Sequence, residues 1–116
     1  FEAKTIFGEN DHRNYNKDGE MFNVGETFAG VPFEKAVELA DRLGSMTPAR
    51  TGLAKMALRW ILDCDAVTTV IPGATRIEQA RGNAGVSDLP SLNDSLHGDL
   101  KALYDSEIEA LIRGIY

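Results

Sequence analysis

Three polar side chains at helical spacing, Arg76, Gln79 and Asn83, have the chemistry to bind an anion. Positions three and seven residues apart fall on one face of a helix, so the three side chains would point the same way. Arg76 falls in the first turn, where the helix dipole favours acidic side chains and where free N–H groups bind anions. A basic residue there indicates that Arg76 faces a phosphate or an acidic neighbour, and a plain solvent-facing helix is the alternative. The spacing predicts a phosphate site.

A calcium-type loop is suggested by residues 14–20, NYNKDGE, but its ligands do not fit. The D-x-D-x-D-G pattern needs oxygen ligands at positions 1, 3 and 5 and a bidentate Glu at position 12. Here position 1 is Asn14 and position 12 falls on Gly25, with Glu26 out of register. A polar turn at residues 18–19 is the better interpretation.

The remaining reactive side chains predict neither a metal centre nor a nucleophile. His12 and His97 are far apart in the sequence, and neither belongs to a spaced group of ligands. Cys64 is the single cysteine, so it forms no internal disulfide and is expected to be a packed or partly exposed thiol. This cysteine content favours a reducing, cytoplasmic setting. Trp60 lies on the apolar side of its helix and is expected in the core.

Composition sets the class of protein. The 116 residues carry a formal net charge of −6, with 43% hydrophobic and 26% charged residues, which is typical of one globular domain. The acidic balance argues against a broad nucleic-acid surface. Since no apolar run approaches the ~20 residues that cross a bilayer, a membrane span is excluded.

Apolar periodicity predicts helices on both sides of one strand. The helices are expected at 32–44, at 48–63, from 75 onward, and from 91 or 93 toward 113. Gly44 is expected to end the first helix and Thr47 to cap the second, which Pro48 opens.

The strand is predicted at residues 67–71, a β-branched run stopped by Pro72-Gly73. Thr75 and Glu78 then have the spacing of a capping box at the start of a helix. Because one buried strand cannot form a sheet alone, its partners must come from elsewhere. Residues 1–30 lack a sustained period and predict a long loop, or a solvated terminal stretch in the isolated chain.

The stretch MALRWILDCDAVTTVIPGATRIEQARGNAGV, residues 56–86, closely resembles the C-terminal signature region of the aldo/keto reductases. The resemblance implies the C-terminal portion of an α/β (β/α)8 TIM barrel. Residues 1–31 correspond to the long loop following barrel strand 7. Residues 32–116 correspond to the last helix–strand–helix unit of the barrel with accessory helices. As an isolated chain, the protein is expected to be mostly α with one short strand.

The resemblance also implies the cofactor NADP(H), whose adenosine end is held at six positions of the family. In this sequence they are Gly73, Ala74, Thr75, Arg76, Gln79 and Asn83. The first four match positions that hold the 2′-phosphate, the fifth contacts the same phosphate or the ribose, and the last contacts the adenine. Gly82 stands where many members have Glu. Gly73 stands where others have Lys, which leaves Arg76 as the main cation.

The implied activity belongs to a larger protein, an NADP-dependent reductase that converts aldehydes or ketones to alcohols. The family's catalytic Asp, Tyr, Lys and His motifs do not occur here, so no catalytic residue is predicted and the isolated fragment is expected to be inactive. The start at Phe1 without an initiator Met also predicts a piece of a longer chain. The expected partners are the rest of the parent barrel, a small carbonyl substrate and a second copy of the isolated chain, with no nucleic acid or membrane. The alternative is a freestanding helical interaction module that retains the signature without activity.

Overall fold

The computed structural model describes residue 6, residues 8–11, residue 14 and residues 29–113. Most of the predicted long loop 1–31, the polar turn at 18–19 and His12 therefore lie outside the described residues.

Within these ranges the chain is helical. Four α-helices are joined by irregular segments, one 3₁₀ turn follows the third helix, and a π turn and a second 3₁₀ turn follow the fourth. The helices are α1 (Phe33–Met46), α2 (Leu53–Leu62), α3 (Ile77–Ala84) and α4 (Asp94–Leu103), and the turns are Gly85–Asp88, Tyr104–Ile108 and Glu109–Leu111. The expectation of a mostly helical chain is confirmed for the described residues. None of these helices is both long and apolar enough to cross a membrane.

The predicted strand at 67–71 is wrong, because these residues adopt no regular secondary structure. A strand forms only where its N–H and C=O groups bond to a neighbouring strand, and the described part of the chain contains none. Ile71, in this segment, is 92% exposed.

The boundary between α1 and α2 also differs from the prediction. Helix α1 continues through Gly44 to Met46, and Thr47 closes it: its hydroxyl donates to the Leu43 carbonyl at 2.9 Å. Thr47 thus directly follows the C-terminus of α1 and does not cap α2.

Helix α2 begins five residues after Pro48, so the expectation that Pro48 opens it is wrong. A separate turn intervenes, in which the Thr51 N–H donates to the Pro48 carbonyl and Arg50 takes a left-handed φ of 70°. The N-cap of α2 is Gly52, with φ 81°. Since glycine adopts positive φ at little cost, it is suited to this abrupt entry.

The chain divides into two compact units. Unit 1 comprises the described parts of Phe1–Arg42 and Ala102–Tyr116, and unit 2 is Leu43–Lys101.

Unit 1 contains ion pairs around Glu107. The Glu107 carboxylate accepts hydrogen bonds from Arg42 and from the Lys35 ammonium, the latter at 3.1 Å, and Lys35 also bonds Glu38 at 2.9 Å. The hydrogen bonds from Arg42 and then Lys35 lower the pKa of Glu107. The bonds to Glu38 and then Glu107 raise the pKa of Lys35. Both charged forms are therefore stabilised in the folded state.

Unit 1 also contains a close backbone approach. The Arg113 N–H donates to the Ala29 carbonyl at 2.8 Å, and Gly30, the residue after Ala29, has φ +91°. A Cβ at Gly30 would lie 2.9 Å from the Arg113 Cβ. Glycine is required here by both conformation and space.

In unit 2 the apolar core is small. It contains Met56 of α2, Val86 of the 3₁₀ turn and Leu96 of α4, which are 2%, 1% and 8% exposed. Trp60 is 49% exposed, so its predicted core position is wrong. The described residues of unit 2 cover Met56 but leave Trp60, on the same helix, half exposed. Cys64 is exposed.

The polar counterpart of this core is the Asp63 cluster, formed by Asp63, Arg59, Ser91, Leu92 and His97. The Asp63 side chain is only 6% exposed. One of its oxygens accepts from the Arg59 guanidinium at 2.9 Å, and the other accepts from the Leu92 N–H at 2.9 Å and lies 3.1 Å from His97 Nε2. Ser91 donates a further side-chain hydrogen bond. The end of α2 is thereby tied to the segment before α4 and to α4 itself.

The same contacts determine the charge of the Asp63 carboxyl group. Burial alone would raise its pKa, but the Leu92 N–H, the Ser91 and His97 hydrogen bonds and the Arg59 charge outweigh burial and lower it. Asp63 is held as a carboxylate.

Candidate functional site

The residues singled out for anion binding lie on the turn at 73–76 and along α3. Residues 73–76 and Gln79 are exposed, and Asn83 is half-buried. Helix α3 begins at Ile77, and Arg76 is its N-cap with extended backbone at φ −138° and ψ 150°. The structure therefore places residues 73–76 and Gln79 at the N-terminus of α3 and Asn83 in its last turn.

The N-terminus of α3 is capped by Gln79. Its carboxamide oxygen accepts from the Thr75 N–H at 2.9 Å, the Thr75 hydroxyl at 3.1 Å and the Arg76 N–H at 3.1 Å. The predicted capping box of Thr75 and Glu78 is wrong by one residue at each position. With Arg76 at N-cap, Gln79 occupies the N3 position, from which a Glu or Gln side chain reaches back to the N-cap N–H.

A second contact ties the turn to the far end of α3. The Asn83 amide donates to the Gly73 carbonyl at 3.4 Å. Because Gly73 and Asn83 are ten positions apart, this bond closes the turn against the last turn of the helix. It is longer than the usual N–H···O distance and hence weaker than the Gln79 contacts.

The guanidinium of Arg76 is available to a ligand. It makes no ion pair or hydrogen bond within the described ranges, and the residue is exposed. Of the sequence hypotheses for Arg76, an acidic neighbour is therefore not found in this part of the chain. A phosphate ligand and a solvent-facing side chain both remain consistent with its position.

An open cleft of about 380 Å³ lies beside the same helix. Its walls include Leu58 and Leu62 of α2, Thr68 and Val70 of the segment after α2, and Ala80 and Asn83 of α3. Its lining combines aliphatic side chains with hydroxyl and amide groups. Such a cleft can hold a flat ring with apolar faces and polar edges.

One residue near the site, Lys55, could not be predicted from the sequence. The Lys55 side chain of α2 lies against α3, with its Cε 3.9 Å from where a Cβ of Gly82 would be. This contact depends on how α2 and α3 pack and has no local sequence signal. The described residues contain no group of three or more His, Cys, Asp or Glu side chains that could hold a metal ion.

Comparisons with known proteins identify the family. A family model described as the aldo/keto reductase family matches residues 3–105 of the chain. No curated protein and no solved structure was found to match it. The family implies a TIM barrel, an oxidoreductase activity and, in general, a nicotinamide cofactor. Since the match covers well over half of the sequence, the chain belongs to the aldo/keto reductase family.

Proposed function

We propose that this chain forms the adenosine-binding end of the cofactor site in an NADPH-dependent aldo/keto reductase, as the C-terminal portion of its (β/α)8 barrel. The reductase converts aldehydes or ketones to alcohols. The observation that carries the proposal is the exposed Arg76 at the N-cap of α3, whose guanidinium has no partner among the described residues, beside a cleft lined by apolar and polar side chains.

The residues present fit a nucleotide that carries a 2′-phosphate. A phosphate dianion needs a cation and hydrogen-bond donors, which Arg76 and the first N–H groups of α3 can supply. The first N–H groups of a helix have no intrahelical acceptor, and in α3 these include Ile77 and Glu78. NADPH, when bound, supplies the hydride for carbonyl reduction.

Asn83 and the cleft fit the adenine end of the same nucleotide. The Asn83 side chain lines the cleft and offers both a donor and an acceptor to a base edge. Leu58 and Leu62 give the cleft an apolar wall, which favours a ring face and excludes water from it. The chain's part in the reaction is to bind and orient the cofactor.

No catalytic residue is assigned to this chain. Reduction of a carbonyl requires a proton donor positioned at the carbonyl oxygen, and we propose that this donor lies in the rest of the parent barrel. The isolated chain is accordingly proposed to have no reductase turnover, with or without NADPH.

A nucleotide titration tests the proposal on the chain itself. Amide chemical shifts in NMR spectra are followed while adenosine 2′-phosphate or adenosine 5′-phosphate is added. The chain should bind the 2′-phosphate more tightly, and Arg76→Ala should weaken that binding by roughly 10- to 150-fold, the equivalent of one charge-assisted hydrogen bond.

The control is Arg81→Ala, which removes an exposed cation of the same helix. If Arg81→Ala weakens the binding of adenosine 2′-phosphate as much as Arg76→Ala does, the effect of Arg76→Ala comes from net charge alone. Equal losses for the two nucleotides in Arg76→Ala would refute the assignment of Arg76 to the 2′-phosphate.

A second candidate function is a helical interaction module that retains the reductase signature without activity. The observation that favours it is a set of exposed apolar side chains in unit 2, namely Trp60, Ile71 and Ile77 at 49%, 92% and 66% exposure. An interaction module would bind neither nucleotide selectively, so the titration above distinguishes the two functions.

A further inference from the structure

A lysine of α2 lies beside the candidate site and has no partner of its own. The Lys55 side chain is exposed and makes no ion pair or hydrogen bond within the described residues. We propose that Lys55 is a further nucleotide-binding residue, whose ammonium group donates a hydrogen bond to the base. This inference rests on the proposed function, because it takes the cleft beside α3 as the place of the adenine.

The position of Lys55 on α2 brings it to the cleft. Lys55, Leu58 and Leu62 are separated by three and seven positions, so they lie on one face of the helix. Leu58 and Leu62 line the cleft. Lys55 therefore adds a cation to the same face, one turn before these two leucines.

On the opposite side, Gly82 leaves room for a ring over α3. Among the described residues outside α3, the Lys55 Cε, at 3.9 Å, is the single heavy atom within 4 Å of a Cβ built on Gly82. Glycine lets a ligand approach the backbone closely, because no side chain stands in the way. Asn83, the next residue, lines the cleft. A base bound by Asn83 thus has open space over Gly82, with Lys55 at the edge of that space.

This place belongs to the base and not to the phosphate. Arg76 is the N-cap of α3, and Gly82 follows six positions later, about 9 Å farther along the helix axis at ~1.5 Å per residue. The cation at the N-terminus of α3 and the cation over Gly82 therefore face different ends of a bound nucleotide.

The donor and acceptor groups are complementary to adenine. An ammonium group has three donors and no acceptor, so Lys55 can bond to a ring nitrogen of the base but not to its exocyclic amino group. The carboxamide of Asn83 offers an acceptor for that amino group. Together the two side chains can recognise different atoms of one base.

One substitution removes the ammonium group and keeps the rest of the side chain. Lys55→Met retains an unbranched stem that can pack over Gly82, so urea unfolding should be unchanged. The matched control is Arg81→Met, which removes the same charge from the exposed position just before Gly82.

The experiment is an NMR titration of the full 116-residue chain with adenosine 2′-phosphate, adenosine 5′-phosphate and ribose 5-phosphate. Lys55→Met should weaken the binding of both nucleotides by a similar factor, roughly 2- to 13-fold, which corresponds to the loss of one hydrogen bond. Ribose 5-phosphate has no base, so its binding should not change in Lys55→Met. Arg81→Met should alter the binding of each ligand by less than about twofold, because salt screens an exposed charge that does not contact the ligand.

The outcomes separate the inference from the proposed function. If Lys55→Met weakens ribose 5-phosphate as much as the nucleotides, Lys55 acts through general charge and the inference is wrong. If Lys55→Met leaves both nucleotides unaffected while Arg76→Ala abolishes the preference for the 2′-phosphate, the inference fails and the proposed function stands.

Two other results complete the test. If the unsubstituted chain does not prefer the 2′-phosphate but Lys55→Met still weakens both nucleotides, the 2′-phosphate assignment fails and the contact of Lys55 with the base stands. A chain that binds neither nucleotide refutes both.

Discussion

The Asp63 cluster offers the sharpest test of how unit 2 is held together. In Asp63→Ala the carboxylate is lost, and the Arg59 guanidinium, 13% exposed, loses its charged partner and keeps the Leu89 carbonyl at 3.3 Å. The Leu92 N–H also loses its acceptor. Both groups were desolvated on folding, so the substitution removes attraction and leaves the burial cost in place.

The magnitude follows from these contacts. A net hydrogen bond to a charged group contributes about 1.5–3 kcal/mol, and the bonds from Arg59 and Leu92 are both 2.9 Å long. Since neighbouring bonds are not additive, the expected decrease in the free energy of unfolding is about 3–5 kcal/mol, as found when one partner of a buried pair is removed.

A milder variant keeps the prediction measurable if Asp63→Ala does not fold. Asp63→Asn retains an oxygen for Arg59 but turns an NH₂ group toward the Leu92 N–H. Two donors then face each other, and the expected loss is about 1–3 kcal/mol for one unsatisfied buried donor.

The assay is urea unfolding followed by fluorescence and far-UV circular dichroism. Trp60, the single tryptophan, lies on α2 and reports on unit 2. Asp65→Ala is the matched control, because Asp65 is exposed and should change stability by less than about 0.5 kcal/mol. If Asp63→Ala costs no more than Asp65→Ala, the cluster does not hold unit 2 together.

Three further predictions concern acid, glycine and association. Since Asp63 and Glu107 have lowered pKa values in the folded state, the unfolded state binds more protons below about pH 4. The contribution of these two carboxylates to the free energy of unfolding is complete above that pH and is lost as the pH falls further. Urea titrations at pH 3–6 should show this, with a flatter acid limb in Asp63→Asn. In thermal unfolding, Gly30→Ala should destabilise the chain by more than 1 kcal/mol because of its positive φ and crowding, whereas Gly98→Ala, with open space in α4, should stabilise it by about 0.5–1 kcal/mol. Finally, light scattering should give a mass above 12.7 kDa, because the exposed apolar side chains of unit 2 favour self-association; a monomer would contradict this.

The helices could be predicted from the sequence because their signal is local. An apolar stripe at a period of 3.6 residues identifies α1, α2 and α4 whatever surrounds them. Their ends were less predictable. Thr47 is an acceptable N-cap by type. However, a turn with Arg50 in the left-handed conformation precedes α2, and this conformation cannot be predicted from an arginine side chain.

The strand and the Asp63 cluster could not be predicted, since both depend on distant partners. Residues 67–71 have strand-forming composition, and whether they form a strand is decided by a neighbouring strand that the described residues lack. The spacing of Arg59 and Asp63 indicates a helical ion pair. The bonds from Asp63 to Leu92 and His97, 29 and 34 positions away, have no local signature.

The candidate site was predicted in its composition but not in its internal bonding. Arg76, Gln79 and Asn83 do lie on the same turn and helix. Two overlapping four-residue patterns, Thr75 to Glu78 and Arg76 to Gln79, compete for the cap. The second prevails although Arg is a poor N-cap by type, and Gln79 therefore accepts the hydrogen bond from the N-cap N–H.

The hydrogen bond that the Leu92 N–H donates to the Asp63 carboxylate closes a loop within unit 2. The loop contains residues 64–91, including α3, and its ends are held whatever its contour length. The entropy of closing a flexible loop rises slowly, by about 0.6 kcal/mol for each doubling of length. Extra residues placed in the turn after α2, at 64–66, would therefore cost little. A reporter peptide could be inserted into this chain at that turn without breaking the hydrogen bond between Leu92 and Asp63.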